Sequence, residues 1–223
     1  MDLKVIAYAH NGHTDKFGIP RQSREESPIL TRIVLEPDYR IPEALRGIDG
    51  YSHLWLIWGF NTTDWSPTVR PPRLGGNKRM GVFATRSPFR PNPIGLSSVR
   101  LVALENGDLI VSGADLLDGT PIYDIKPYLS FSDSHPDAVN GFAEETKDYG
   151  LEVNWEMFSR EWTENGPRMD RQWIDEVSYI LRQDPRPGYQ DDPEREYKMD
   201  YAGYTITFCV KEQTIFVKKI EKY

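Results

Sequence analysis

The stretch SSVRLVALENGDLIVSGADL, residues 97–116, contains two apolar runs that flank a polar Glu-Asn-Gly-Asp segment. Residues 97–104 and 109–116 are rich in Val, Leu and Ile and have the length of β-strands. Three similar runs precede them, and clusters of Gly, Pro, Asn and Asp separate the runs. The earlier runs are residues 3–9, 29–35 and 51–60. Because no long amphipathic helix lies between the runs, the pattern argues against a doubly wound α/β sheet and predicts antiparallel strands closed into a barrel.

The second part of the chain has a different pattern. Apolar residues at 151, 153, 155 and 157 alternate with polar ones, which predicts a half-buried strand, and residues 138–149 form a weak helical pattern. Asp170 is a helix N-cap candidate, and the helix that follows it should end before Pro185. Residues 204–210 and 214–220 have the pattern of a β-hairpin.

We therefore predict a mainly β protein of two domains. Residues 1–135 form an antiparallel β-barrel-like domain, which we expect to bind the ligand, and residues 136–223 form a smaller α+β domain. Residues 42–46, with proline in the first turn, are expected to form a short helix.

Composition excludes several classes of protein. Hydrophobic residues make up 39% of the chain and aromatic residues 12%, so the chain has enough apolar surface for a core. No apolar run reaches the roughly 18 residues needed to span a bilayer. The single cysteine, Cys209, forms no internal disulfide, and the four histidines lack the spacing of metal ligands, so we expect no metal site. We expect a soluble, cytoplasmic protein without a membrane partner.

The charge is unevenly distributed along the sequence. The net charge is −7, yet residues 65–100 contain seven basic side chains and no acidic one. These are Arg70, Arg73, Lys78, Arg79, Arg86, Arg90 and Arg100. Residues 101–223 contain 13 basic and 25 acidic side chains. A local basic surface of this kind can bind phosphates although the whole molecule is acidic.

The segment GVFATRSPFRPNPIGLS, residues 81–97, combines three prolines with polar side chains. The prolines restrict φ and hold residues 88–93 extended, so we expect a stiff loop that presents Arg86, Arg90 and Asn92. A stiff loop loses little entropy when it binds a ligand, and arginine has forked donors for phosphate or carboxylate groups.

This segment resembles the signature of the TrmO-type (TsaA-like) family of β-barrel tRNA methyltransferases. The resemblance extends in order along most of the chain. The further matching motifs are PRQ at 20–22, YSHLW at 51–55, RPPRLGG at 70–76, DGTP at 118–121, DIKPY at 124–128 and DPRP at 184–187.

The resemblance implies an enzyme that uses S-adenosylmethionine as its cofactor and tRNA as its substrate. It would methylate N6 of the threonylcarbamoyl-adenosine next to the anticodon. The family also implies a homodimer whose cofactor lies in a pocket of the barrel. No dinucleotide-binding glycine motif occurs in this sequence, which is consistent with that expectation.

The matched motifs also imply cofactor-binding residues. They are Pro20, Arg21, Gln22, Asn61, Thr62, Arg86, Leu96, Leu117, Asp118, Gly119 and Thr120. Residues 117–120 would hold the nucleoside part of the cofactor, although an Asp-Gly turn between strands is also a common structural feature.

Methylation of N6 requires a group that accepts the N6 proton. The catalytic candidates are Asp118, Asn92 and Tyr128. Asp124 is a further candidate for the proton acceptor, and the sequence does not decide between Asp118, Asp124 and Tyr128. The candidate RNA-binding residues are Arg70, Arg73, Lys78, Arg79, Arg90, Lys126 and Arg186.

Two other functions remain open at this point. A non-catalytic β-barrel RNA-binding module would have the same basic segment but no affinity for the cofactor. A hydrolase using His53 with Asp118 or Asp124 would need a nucleophile, and the sequence has no nucleophile-elbow motif.

Overall fold

Six β-strands form a closed antiparallel barrel in the computed structural model, which describes residues 2–15, 18–20, 22–24, 26–61, 64–71, 78–147, 149–155, 170–186 and 192–223. In chain order the first eight strands are β1 (Ala7–His10), β2 (Leu30–Leu35), β3 (His53–Gly59), β4 (Thr68–Val69), β5 (Met80–Gly81), β6 (Ile94–Glu105), β7 (Asp108–Ser112) and β8 (Pro121–Pro127). The order around the barrel is β1-β2-β7-β6-β3-β8, and β4 and β5 form a separate two-stranded ribbon.

The barrel core follows from alternation along the strands. In β3, Leu54, Leu56 and Trp58 are buried, and in β2 Ile33 and Leu35 are buried. Because successive side chains of a strand point to opposite faces, each strand contributes one inward row to a shared core. Each strand also pairs with two neighbours, so closure leaves the barrel without an unpaired edge.

Strand β8 departs from this alternation, and the sequence did not predict it. Ile122 is fully buried and Ile125 packs against the barrel core, so its apolar residues are three positions apart. A shift of register opposite Ile57 and Trp58 of β3 explains this spacing.

The second part of the chain forms a four-stranded sheet with one long helix. Its elements are β9 (Glu152–Asn154), the helix Arg171–Arg182, β10 (Tyr197–Tyr201), β11 (Tyr204–Lys211) and β12 (Thr214–Lys222). The strand order is β10-β11-β12-β9, and β9 runs parallel to β12. The helices are numbered α1 (Pro42–Leu45), α2 (Ser130–Asp133) and α3 (Arg171–Arg182), and short 3-10 helices span Ile48–Gly50, Val82–Ala84 and Gly141–Thr146.

Helix α3 begins and ends as the sequence predicts. The Asp170 carboxylate accepts a hydrogen bond of 2.9 Å from the backbone N–H of Trp173, which is an N-cap. Val177, Ile180 and Leu181 are buried in the core of the second sheet. Ile29, which precedes β2, belongs to this second core, so the two parts of the chain are packed together.

The mainly β fold with an antiparallel barrel and a smaller α+β part is confirmed. Two local predictions differ from the structure. Among the described residues of 138–149, the only helix is the 3-10 helix Gly141–Thr146, and the strand predicted from residue 151 is described over Glu152–Asn154. Met157 lies outside the described residues. The division at residue 135 stays a prediction. No helix in the described part of the chain is long and apolar enough to cross a membrane.

Candidate active site at one end of the barrel

The motifs that contain Gln22, Arg86 and Asp118 lie at one end of the barrel, which we call the site end. Here β3 ends and β6 begins, since Gly59 pairs with Ile94 and the Phe60 N–H donates to the Pro93 carbonyl at 2.9 Å. Here too β1 ends and β8 begins, since the Ala9 N–H donates to the Thr120 carbonyl at 3.0 Å. Loops that are distant in sequence are therefore neighbours in space.

Arg86 and Gln22 come from two separate motifs and are joined at the site end. The Arg86 guanidinium donates a hydrogen bond of 2.7 Å to Gln22 Oε1. Arg86 is exposed, so this contact orients its charge without burying it. Pro20, two residues before Gln22, is buried. The predicted cofactor residues Arg21 and Thr62 lie outside the described residues.

A carboxylate that the sequence analysis did not single out lies behind this pair. The Trp58 indole donates to Ser97 Oγ at 2.9 Å, and the Ser97 hydroxyl donates to the Asp115 carboxylate. Burial raises the pKa of the Asp115 carboxyl, while the hydrogen bond from Ser97 and the nearby charge of Arg86 oppose that rise. The hydroxyl of Ser23, next to Gln22, bonds to the Ser98 carbonyl. This network ties β6 to the segment that carries Gln22.

Trp58 approaches the backbone of β6 closely at Gly95. A Cβ atom added at Gly95 would lie within 2.6 Å of indole ring atoms of Trp58. Only glycine therefore allows the indole to reach Ser97, which explains why this residue type is needed at the start of β6.

The turn at residues 117–120 is held by the end of β1 and the loop that follows it. The Asp118 N–H donates to the His13 carbonyl at 2.9 Å, and the Gly119 N–H donates to the Ala9 carbonyl at 2.8 Å. Gly119 has a φ of +75°, a conformation that favours glycine, and a Cβ atom added there would have no atom within 4 Å. Thr120 is buried. The turn thus exposes backbone in a fixed conformation.

The side chain of Asp118 is also held in place. Its Oδ1 accepts a hydrogen bond of 3.1 Å from the Asn11 N–H and lies 3.3 Å from His10 Nδ1. Asn61 and Leu96 are exposed at the same end, directly after β3 and near the start of β6. Asn92 is exposed in the loop that leads into β6.

The structure does not bring all catalytic candidates together. Asp118 precedes β8 and Tyr128 follows it; β8 has 7 residues, which at about 3.3 Å per residue separates its ends by roughly 20 Å. The two side chains therefore cannot act on one reacting atom within a single chain. Tyr128 packs against the rings of Trp55 and His53 at centroid distances of 5.4 and 6.2 Å.

The alternative acid-base pairs are not formed either. His53 begins β3 at the end of the barrel opposite to Asp118, so the hydrolase pair His53–Asp118 has no geometric support. Asp124 lies within β8 and forms an ion pair of 2.8 Å with Lys126. In the described ranges, no group of three or more His, Cys, Asp or Glu side chains is arranged to hold a metal ion.

The basic residues fall into two groups. Arg70, Lys78 and Arg79 are exposed, and Arg79 donates from Nε to Thr68 Oγ1 at 2.8 Å, which braces the β4–β5 ribbon. Arg73 lies outside the described residues. Three other RNA-binding candidates, Arg90, Lys126 and Arg186, have partners within the protein.

Those partners are loop carbonyls for one residue and carboxylates for two. Arg90 donates to the carbonyls of Val82 and Thr85 at 3.1 and 2.7 Å. Lys126 pairs with Asp124, as described above. Arg186 binds Asp184 with two nitrogens at 2.8 and 2.9 Å, and its side chain is only 10% exposed. The buried Arg186 pair is a structural contact, whereas Lys126 is 59% exposed, so the predicted RNA-binding role of Lys126 and Arg90 stays a prediction.

Comparisons with known proteins identify the family of the chain. Residues 8–134 match the family model for the tRNA-methyltransferase O N-terminal domain, and residues 148–223 match that for the TrmO C-terminal domain. The chain is 44% identical over 200 residues to a putative S-adenosylmethionine-dependent methyltransferase, RcsF, of Pseudomonas aeruginosa, covering 87% of this chain and 86% of the relative.

Two further comparisons cover nearly the whole length. The chain is 40% identical over 219 residues to the tRNA (adenine(37)-N6)-methyltransferase of Escherichia coli K12, covering 94% of this chain and 91% of the relative. A crystal structure of TrmO from Pseudomonas aeruginosa superposes with a TM-score of 0.79 at 34% identity, covering 99% and 98% of the two chains.

Proposed function

The chain belongs to the TrmO family of tRNA methyltransferases, and from that premise we propose that it transfers a methyl group from S-adenosylmethionine to N6 of the threonylcarbamoyl-adenosine beside a tRNA anticodon. The observation that carries this proposal is the hydrogen-bonded pair of Arg86 and Gln22 at the same barrel end as the turn at residues 117–120. These groups come from three motifs that are far apart in the sequence.

The residues at the site end fit a cofactor of this kind. When bound, S-adenosylmethionine supplies a reactive methyl group on a cationic sulfonium. We assign the exposed guanidinium of Arg86, oriented by Gln22, to the carboxylate of the cofactor, because arginine binds carboxylates with forked donors. The open backbone around Gly119 would face the nucleoside part, and the exposed Leu96 would supply an apolar contact.

Two of the catalytic candidates are proposed to act on the substrate amine. We assign the proton-accepting role to the Asp118 carboxylate, since it lies at the site end and two neighbours fix its orientation. We assign to the Asn92 amide the orientation of N6, because an amide both donates and accepts hydrogen bonds. Tyr128 lies at the opposite end of β8 and receives no role in this proposal.

We further propose that the protein acts as a cytoplasmic homodimer. Val102 and Leu104, two apolar residues on β6, are exposed on the outer face of the barrel and would be buried by a second copy. Light scattering of the purified protein measures the state of association, and a mass of one chain at working concentration contradicts the dimer.

Titration calorimetry with S-adenosylmethionine and a methylation assay on tRNA test the enzymatic proposal. We expect the Arg86→Ala variant to bind the cofactor about 10- to 100-fold more weakly, because a charge-assisted hydrogen bond is lost. Its melting temperature should be unchanged, since Arg86 is exposed. Arg46→Ala, which removes an exposed arginine near the opposite end of the barrel, is the matched control. Failure of the wild-type protein to bind millimolar cofactor would leave the non-catalytic RNA-binding module.

A further inference from the structure

Three aromatic side chains near the site end are exposed to solvent. Phe83 is 74% exposed, Trp65 is 53% exposed and Phe89 is 41% exposed. We call these three residues the aromatic patch. Large exposed apolar groups that lie together mark a binding surface more often than chance, since burying them is favourable.

Backbone hydrogen bonds hold the parts of the patch together. The Ser66 N–H, next to Trp65, donates to the Phe89 carbonyl at 3.2 Å. The Val82 N–H, next to Phe83, donates to the Pro67 carbonyl at 3.0 Å. The β4–β5 ribbon joins the same two segments, so the three exposed rings are carried by adjoining segments of backbone.

Hydrogen bonds from Arg90 brace the turn that carries Phe83. Arg90 donates to the carbonyls of Val82 and Thr85, and its guanidinium lies 5.6 Å from the Phe83 ring centroid. Val82 is buried and anchors the turn. The backbone of this turn is therefore held in place and the Phe83 ring is exposed on it, so a ligand that stacks on the ring would lose little entropy in ordering the loop.

The charge around the patch selects the kind of partner. Arg70, Lys78 and Arg79 lie on the same two segments, and residues 65–100 contain no acidic side chain. In a two-fold dimer through this face, the same basic surface would face itself, which like-charge repulsion opposes. A polyanion that also carries flat π-faces satisfies both the charge and the rings, and unpaired RNA is such a partner.

We propose that the aromatic patch is a stacking platform for unpaired bases of the tRNA anticodon loop, next to the adenosine that is methylated. This inference rests on the proposed function and deepens it. The phosphates would contact Arg70, Lys78 and Arg79, while the bases would lie on Phe83 and Trp65. The patch thereby distinguishes single-stranded loops from duplex RNA, whose bases are already stacked.

The test measures binding of an anticodon stem-loop RNA and of intact tRNA to Phe83→Ala at several salt concentrations. We expect the dissociation constant to rise roughly 5- to 100-fold, as for the loss of one base-aromatic stack. The slope of affinity against salt should stay at the wild-type value, because no charge is removed. Phe83→Trp should restore binding, and the calorimetric affinity for S-adenosylmethionine should be unchanged.

Phe131→Ala is the matched control, because Phe131 is 87% exposed and lies in α2 at the opposite end of the barrel. Equal RNA affinity of the Phe83 and Phe131 variants would overturn the proposal. It would also be overturned if Phe83→Ala dissociated a dimer in light scattering, or if it abolished binding to anionic vesicles with RNA affinity intact. A wild-type protein that binds neither cofactor nor tRNA would instead contradict the proposed function itself.

Discussion

His13 is a fully buried histidine between the site end and the second sheet. Its ring packs against Tyr201 at a centroid distance of 5.4 Å, and its carbonyl accepts the Asp118 N–H. Burial lowers the pKa of His13 to about 4, and a backbone hydrogen bond with Gly18 offsets only part of this shift. The imidazole is therefore neutral in the folded protein at neutral pH.

This burial predicts a loss of stability in acid. The unfolded chain binds a proton at His13 near its ordinary pKa of about 6.5, whereas the folded chain binds it only near 4. The free energy of unfolding should therefore fall as the pH falls from 6.5 to 4, by up to about 3 kcal/mol from this residue. Urea unfolding at a series of pH values measures the slope.

His13→Phe removes the titrating group and keeps a ring against Tyr201, so its unfolding free energy should depend less on pH over that range. His135→Phe is the control, because His135 is exposed. If the His13 variant has the same pH dependence as the wild-type protein, protonation of His13 is not coupled to unfolding.

The loop at residues 11–14 connects two parts of the molecule. On one side it holds the turn at residues 117–120 through His13 and Asn11. On the other side the Gly12 carbonyl accepts the Ala202 N–H at 2.9 Å, and the Thr14 hydroxyl lies 2.9 Å from the Tyr223 hydroxyl. The hairpin turn between β10 and β11 thus supports the loop that holds the proposed nucleoside-binding turn.

Gly12→Ala tests this contact. The new Cβ would lie 2.8 Å from two ring atoms of Tyr201, which is buried and donates a hydrogen bond of 2.8 Å to Glu176. Because that ring cannot move freely, we expect a destabilisation of about 1–3 kcal/mol and weaker cofactor binding. Gly50→Ala has open space at its Cβ and serves as the control. Equal melting temperatures of the two variants would show that the contact is not tight.

Regular alternation made part of the fold predictable from sequence. The inward rows of β2 and β3 and the capped helix α3 follow local patterns that the structure preserves. Strand β8 was missed because its register shift spaces Ile122 and Ile125 three residues apart. Strand β10 was detectable, since Tyr197, Met199 and Tyr201 are buried and alternate with polar residues.

Sequence predicted the residues of the candidate site only where they belong to a recognisable motif. Motifs in the sequence mark Arg86, Gln22 and the turn at residues 117–120. Closure of the barrel then brings these three groups to the same end. Asp115 could not be predicted, because its partners Ser97 and Arg86 approach it only after the barrel has closed. Arg186 shows the opposite case, in which a basic residue of a motif is bound internally by Asp184.

The distribution of charge over the protein restricts how RNA can approach it. The exposed cations Arg70, Lys78 and Arg79 lie near the site end, while residues 101–223 carry nearly twice as many acidic as basic side chains. The acidic part repels RNA, so the basic segment should set the orientation of docking.

Replacing Arg70, Lys78 and Arg79 together by alanine should make tRNA binding less dependent on salt. Each lost phosphate contact removes about 0.7–0.9 from the slope of log affinity against log salt, so three lost contacts lower it by about 2. Cofactor affinity should stay near the wild-type value. Alanine at Arg46, Lys198 and Lys222, which are exposed elsewhere, is the control. An unchanged slope in the first variant would mean that RNA binds to another face.

The strand order of the second sheet has a consequence for folding during synthesis. All six barrel strands have left the ribosome once Pro127 has emerged, whereas β9 ends at Asn154 and its pairing partner β12 begins at Thr214. A nascent chain can therefore close its barrel early, since domains fold from the N-terminal side as they emerge, while β9 remains unpaired. Ala202, which bonds to Gly12, also emerges in that late interval. The barrel can thus fold while the chain is still attached to the ribosome. The contact between Ala202 and Gly12, which supports the turn at residues 117–120, forms only when translation has reached the second sheet.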